Sequence, residues 1–219
     1  MPPQYVISIS GKKRSGKSTL AKDLSSSFFY RHDFSGEVIN FGDCVKDDLN
    51  RLYGVPYEYL YGTEDQKQTI LPYRWKDLEW YEGSRTDDVT VRGLMQEYAE
   101  SKRQINAFYW AFEGVNRIKE SAYEVVIVGD LRHKTEFTTL KATFPHNLYT
   151  IRLLRDPSNG EDRHISEIDL DPDTFDQSQF DLVIDNRSLY PFEVSIRAYN
   201  YLEHWVGSLY GSADHSSIA

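Results

Sequence analysis

A chain of 219 residues, 40% hydrophobic and 14% aromatic, is long enough for one sizeable α/β domain, or one domain with insertions. Its net charge of −9 and lone Cys44 argue against general nucleic-acid or anionic-membrane binding and exclude an internal disulfide framework. No stretch reads as a signal peptide or is apolar enough to span a bilayer, so a soluble cytoplasmic protein is expected.

In chain order, residues 5–10 are short, apolar and β-branched, the pattern of a parallel strand buried on both faces. Residues 11–19 follow, Gly-Lys-Lys-Arg-Ser-Gly-Lys-Ser-Thr, and fit G-x-x-x-x-G-K-S. Residues 18–30 read as a helix with Leu20, Ala21, Leu24 and Phe28 on one side. A second strand is expected over 37–41, ended by Gly42 and Asp43. A helix over 44–52 is broken by Gly54 and Pro56. Residues 57–88 are charged, aromatic and aperiodic, as functional or mobile stretches are. Helices are expected over 89–99, with Thr90 as N-cap, and over 106–120.

A strong strand over 123–130 ends on Gly129 and Asp130. A helix over 135–143 and a strand over 148–154 come next. Residues 155–178 are polar and acidic without period. A last short strand covers 181–186 and a helix 191–205, with a frayed tail from Gly207. Strands alternating with helices predict an α/β fold, a parallel sheet with helices on both faces.

Strand, glycine loop and helix are the context a phosphate-binding loop requires. Glycines let backbone N–H groups turn inward around phosphate oxygens, and the helix N-terminus adds partial positive charge. Lys17 would reach the β- and γ-phosphates, and Ser18 would ligate Mg²⁺. Lys12, Lys13, Arg14 and Lys17 form a basic patch in an acidic protein, suited to a polyphosphate. Asp130 at a strand end would hold the Mg²⁺ shell, or simply cap the next turn. Leu131 follows it, where a hydrolase places a base, which favours transfer to a bound acceptor. Arg132 would touch phosphate or form a surface ion pair. Arg155 and Arg163 flank a polar segment that reads either as a lid, which neutralises phosphoryl charge and excludes water, or as a solvated loop.

Arg92 and Gln96, four apart on one helix face, would hold an acceptor phosphate and a base edge; Lys46 would face the acceptor too. The aromatics of 57–81 would stack a base or form the core of an insertion. Cys44 reads as buried filler. Asp169, Asp171, Asp173 and Asp176 lack the glycine and terminal glutamate of an EF-hand and read as a solvated acidic loop.

The loop at 11–18, Val91-Arg92-Gly93-Leu94-Met95-Gln96, Gly129-Asp130-Leu131-Arg132, His164-Ile165-Ser166-Glu167 and Asp181-Leu182-Val183-Ile184-Asp185-Asn186 together resemble bacteriophage deoxynucleoside monophosphate kinases, in order and spacing from about residue 5 to 190. Tyr61-Gly62-Thr63-Glu64 and Tyr73-Arg74-Trp75 resemble that family's inserted region. The resemblance implies one P-loop kinase domain over 1–219, a three-layer α/β/α fold with an NMP-binding insertion at about 42–104 and a lid at about 155–178. It implies transfer of the ATP γ-phosphate to a dNMP, with Mg²⁺, giving dNDP and ADP. Lys17, Arg132, Arg155 and Arg163 would act in catalysis. Gly11, Lys13, Arg14, Ser15, Gly16, Lys17, Ser18, Thr19, Asn186 and Arg187 would bind ATP. Lys46, Arg92, Gln96, Asp130 and Arg132 would bind the acceptor, and Ser18 and Asp130 the metal.

No nucleic-acid or membrane partner is implied, and location would be the host cytoplasm if the chain is phage-encoded. The aromatic helix at 107–118 would suit a homodimer. The acidic lid and the tail after Gly207 depart from the family. Animal-type phosphomevalonate kinases share the basic loop and the late strand ending in an acid and Asn; the aromatic middle and the Arg92/Gln96 pair fit a nucleobase better than an isoprenoid. A P-loop switch or motor is disfavoured, because no Asn-Lys-x-Asp occurs and no Glu follows Asp130.

Overall fold

The computed structural model describes residues 3–155 and 165–213. The chain divides into two compact units, Met1–Ile39 with Arg117–Ala219, and Asn40–Asn116.

In the first unit, β1 (Tyr5–Ser10), β2 (Gly36–Ile39), β3 (Val125–Leu131), β4 (Leu148–Leu153) and β5 (Leu182–Ile184) form one sheet in the order β2-β3-β1-β4-β5. Every strand pair is parallel. β1 is central and buried along its whole length, which is why its sequence is apolar rather than alternating. Tyr5, Ile7 and Ile9 face one side. There they share a core with Val125, Ile127, Ile151 and Leu153, with Leu20, Leu24 and Phe28 of α1 (Lys17–His32), and with Val194, Ala198 and Leu202 of α8 (Pro191–Ala213). The intervening residues Val6, Val126 and Val128 point the other way and are also buried. Helices therefore cover both faces, the α/β/α architecture expected from the alternation. On α6 (Lys134–Thr143), Phe137 packs its ring edge-on to Phe175 and Phe180.

The second unit contains α2 (Phe41–Tyr53), α3 (Tyr57–Leu60), two single 3-10 turns, α4 (Val91–Ile105) and most of α5 (Tyr109–Glu120). Its core joins Leu49, Leu60, Trp75, Leu94, Tyr98 and Trp110. Thr90 caps α4, its side chain accepting from the Gly93 N–H at 3.0 Å.

Several boundaries differ from expectation. The second strand stops at Ile39, because Asn40 caps α2 in a capping box with Asp43; Phe41 to Asp43 are helical instead of ending the strand. α4 runs on past Ala99 to Ile105. The last helix continues through Gly207 to Ala213, so the expected fraying starts too early. The aperiodic 57–88 stretch is packed: Leu71, Trp75 and Leu78 are buried, and Ile70 bridges to Thr90. Its periodicity is missing because the chain turns too often for a helix or strand to show one. Ile105, Phe108 and Phe112 are exposed. Among the described residues no helix is long and apolar enough to cross a membrane.

Candidate functional site

The loop between β1 and α1 is shaped by positive-φ backbone. Gly11 has φ +156° and Gly16 φ +100°, and Arg14, without a glycine's freedom, sits at φ 62°. Such a conformation costs a non-glycine residue roughly 1–3 kcal/mol and persists only where its surroundings enforce it. A Cβ on Gly11 would meet Ser15 Oγ at 2.6 Å and the Leu153 carbonyl at 3.1 Å. The Ser15 N–H donates to the Lys12 carbonyl at 3.1 Å, closing the turn. From the end of β5, Asn186 donates its amide to the Ser15 carbonyl at 2.8 Å. Ser15 Oγ and Asn186 Oδ1 are buried without a hydrogen-bond partner among the described residues.

Lys17 curls back over this loop, donating to the carbonyls of Gly11 at 2.6 Å and Lys12 at 2.7 Å. Burial, and then the neighbouring charge of Arg132 and more weakly Arg152, lower its pKa to about 7, while Asp130 opposes them. An anion beside a lysine so buried would favour its charged form.

Arg132 lies just past β3. The turn after the strand is fixed by Glu136, which accepts the N–H groups of Arg132 at 2.9 Å and His133 at 3.0 Å. The Arg132 guanidinium pairs with Glu167 on α7 (Ile165–Ile168). The other oxygen of Glu167 accepts the Lys13 backbone N–H at 2.5 Å. The acidic stretch is consequently not the solvated loop expected. Asp169 accepts the Lys134 N–H at 2.8 Å. Asp171 pairs with Lys12 at 2.9 Å and Arg152 at 2.7 Å. Only Asp173 and Asp176 of that set are exposed.

Arg152, Glu167 and Asp171 escaped sequence reasoning. Arg152 did leave a signal, a charge inside the buried strand Leu148–Leu153. Its guanidinium donates to Ser10 Oγ at 2.8 Å, its Nε is buried without a partner among the described residues, and burial lowers its pKa against the pull of Asp171. Glu167 and Asp171 were visible only as part of a short motif and an acidic run, which did not tell their partners, because those lie far away in sequence.

Arg155 is exposed and lines two cavities of this unit. One, of about 310 Å³, is bounded by Lys12, Arg152, Asp171 and Arg187. The other lies over Gly16 and Thr19 against Asn186 and Val194. Arg187 forms an exposed ion pair with Asp185. Arg163 and His164 lie outside the described residues, as does the 156–162 part of the expected lid. Ser18 is exposed at the first turn of α1. Ser18 and Asp130 are hard oxygen donors, and two such ligands suit a Mg²⁺ that keeps waters and phosphate oxygens for the rest. Among the described residues no cluster of three acidic, histidine or cysteine side chains is preassembled for a metal.

In the second unit, Lys46 pairs with Asp43 at 2.8 Å and lies 3.9 Å over the Tyr61 ring. Burial pushes the Asp43 carboxyl up, but hydrogen bonds from Lys46, Asn40 and Tyr61 outweigh it and hold the pKa below the usual value. Arg92 pairs with Glu64 at 2.6 Å. The short turn from Tyr61 to Glu64 therefore touches both expected acceptor cations. Gln96 is exposed one turn beyond Arg92.

No family model matches the chain. A solved gluconokinase from Sinorhizobium meliloti 1021 is similar at 13% identity and a TM-score of 0.47, covering 97% of this chain and 99% of that one. A DNA gyrase subunit from Mycoplasma pneumoniae is 25% identical over 127 residues, 54% of this chain and 17% of that protein; the chain thus spans about a sixth of that relative. Neither likeness carries an activity across. The fold assignment rests on this chain's own strand order and phosphate loop.

Proposed function

We propose that the protein is an ATP-dependent phosphotransferase whose acceptor is itself a phosphate ester, a deoxynucleoside monophosphate. The observation that carries the reading is Lys17, folded over the loop at 11–19 and so buried that its pKa falls to about 7, with Arg132 and more weakly Arg152 adding to the shift and Asp130 opposing it. A phosphate beside this ammonium would favour the charged form that burial disfavours. The strand-loop-helix setting supports a polyphosphate tail as the ligand.

In this reading the loop N–H groups and Lys17 hold the β- and γ-phosphates, with Asn186 and Arg187 toward the nucleoside. Mg²⁺, held through Ser18 and Asp130, would neutralise and orient the phosphate oxygens. The acceptor's phosphate would be held by Lys46 and Arg92, with Gln96 toward its base. An acceptor phosphate oxygen forms the bond to the γ-phosphorus as the bond to the β–γ bridging oxygen breaks, and ADP leaves with that electron pair. No general base is needed, because the attacking oxygen is already anionic. Catalysis is positioning and charge neutralisation.

An ADP-release assay across dAMP, dGMP, dCMP, dTMP and phosphomevalonate tests this. Turnover with one or more of the nucleotides is expected. Turnover with phosphomevalonate alone would move the acceptor to the isoprenoid class. ATP consumption without any acceptor would replace transfer by hydrolysis.

A further inference from the structure

The carboxylate of Glu167 is buried and gripped from two directions, by the backbone N–H of Lys13 within the phosphate loop and by the Arg132 guanidinium. Four residues on, Asp171 is shared by Lys12 of the same loop and by buried Arg152. A loop N–H beside an arginine is how proteins bind phosphate oxygens. Two planar carboxylates on one short stretch thus engage donors that a polyphosphate on residues 11–19 would also use. One donor cannot serve both anions at full strength.

We propose that Glu167 and Asp171 are internal stand-ins for phosphate, which compete with a bound polyphosphate for Lys13 N–H, Arg132, Lys12 and Arg152 and give those donors up to it. The inference rests on the reading of residues 11–19 as a polyphosphate site. Two physical consequences follow. The carboxylates keep a strongly cationic loop folded in an otherwise acidic protein, where bare like charges would repel. They also set an affinity ceiling, since each bound polyphosphate must displace them, and displacement frees residues 165–171 from the loop. This is a different role from a merely structural ion pair, and the sign of the effect on binding separates the two.

The test is calorimetric titration of the full chain with sodium tripolyphosphate in EDTA, which removes base and metal from the question. Glu167→Gln and Asp171→Asn are each expected to tighten binding by roughly three- to thirtyfold, as loss of one partly buried charged competitor should. Weaker or unchanged binding in both variants would overturn the inference. Lys17→Ala serves as the separate control: if it binds tripolyphosphate as well as the unsubstituted chain, the phosphate-loop reading itself fails. Should both carboxylate variants fail to fold, hydrogen exchange on the unsubstituted chain decides. Saturating tripolyphosphate should speed exchange of the Asp169 amide, which donates to the Ile165 carbonyl within this stretch. Slower or unchanged exchange there would overturn the inference.

Discussion

At the scale of single residues, Lys17 makes the sharpest prediction. Its amine has a pKa of about 7 in the free protein, and a polyphosphate bound as proposed would return it toward the ordinary lysine range. Such a complex would bind more protons than its parts, so affinity should fall as pH rises above 7. Calorimetry in buffers of different ionisation enthalpy should show proton uptake of about half an equivalent at pH 7, and Kd for ATP should weaken between pH 7 and 9. A flat profile over that range would remove Lys17 from the phosphates. Gly11→Ala should keep the fold but weaken ATP at least about tenfold, because its Cβ would collide with Ser15 Oγ and the Leu153 carbonyl. Arg92→Ala should raise the acceptor KM far more than the ATP KM in steady-state assays. Equal effects on both would take Arg92 out of the acceptor site.

Elements show why some of this was legible and some was not. The glycine loop between β1 and α1 was readable because it is local: its glycines, its lysine and its flanking strand and helix are contiguous. The cap of α4 was readable for the same reason, since Thr90 reaches only three residues to Gly93. Thr90→Ala should cost about 1 kcal/mol in denaturant unfolding. The aromatic stretch was ambiguous, because a base-stacking platform and a core share one composition. Packing resolves it for Trp75, which is 2% exposed inside the second unit's core. Trp75→Ala should cost about 3–5 kcal/mol in a chemical melt. A raised nucleotide KM without loss of stability would restore the stacking reading. Beyond Gly207 the helix persists because Leu202 and Val206 of its preceding turns are anchored in the core, a tertiary support that composition does not reveal.

For the molecule as a whole, alternation of strands and helices was enough to imply a parallel sheet with both faces covered. The strand order β2-β3-β1-β4-β5 was not, since it depends on which strands pair across long separations. That order places the ends of β1, β3, β4 and β5 in one unit, and with them Lys17, Arg132, Arg152 and Asn186. The sequence by itself determined the α/β class and the glycine loop between its first strand and helix, because each is written in neighbouring residues and their periodicity. Only the tertiary structure decided what the loop's cations hold. Glu167 and Asp171 come to Lys13 and Lys12 from more than 150 residues away, and no local pattern encodes a charge pairing made by the folding of a sheet.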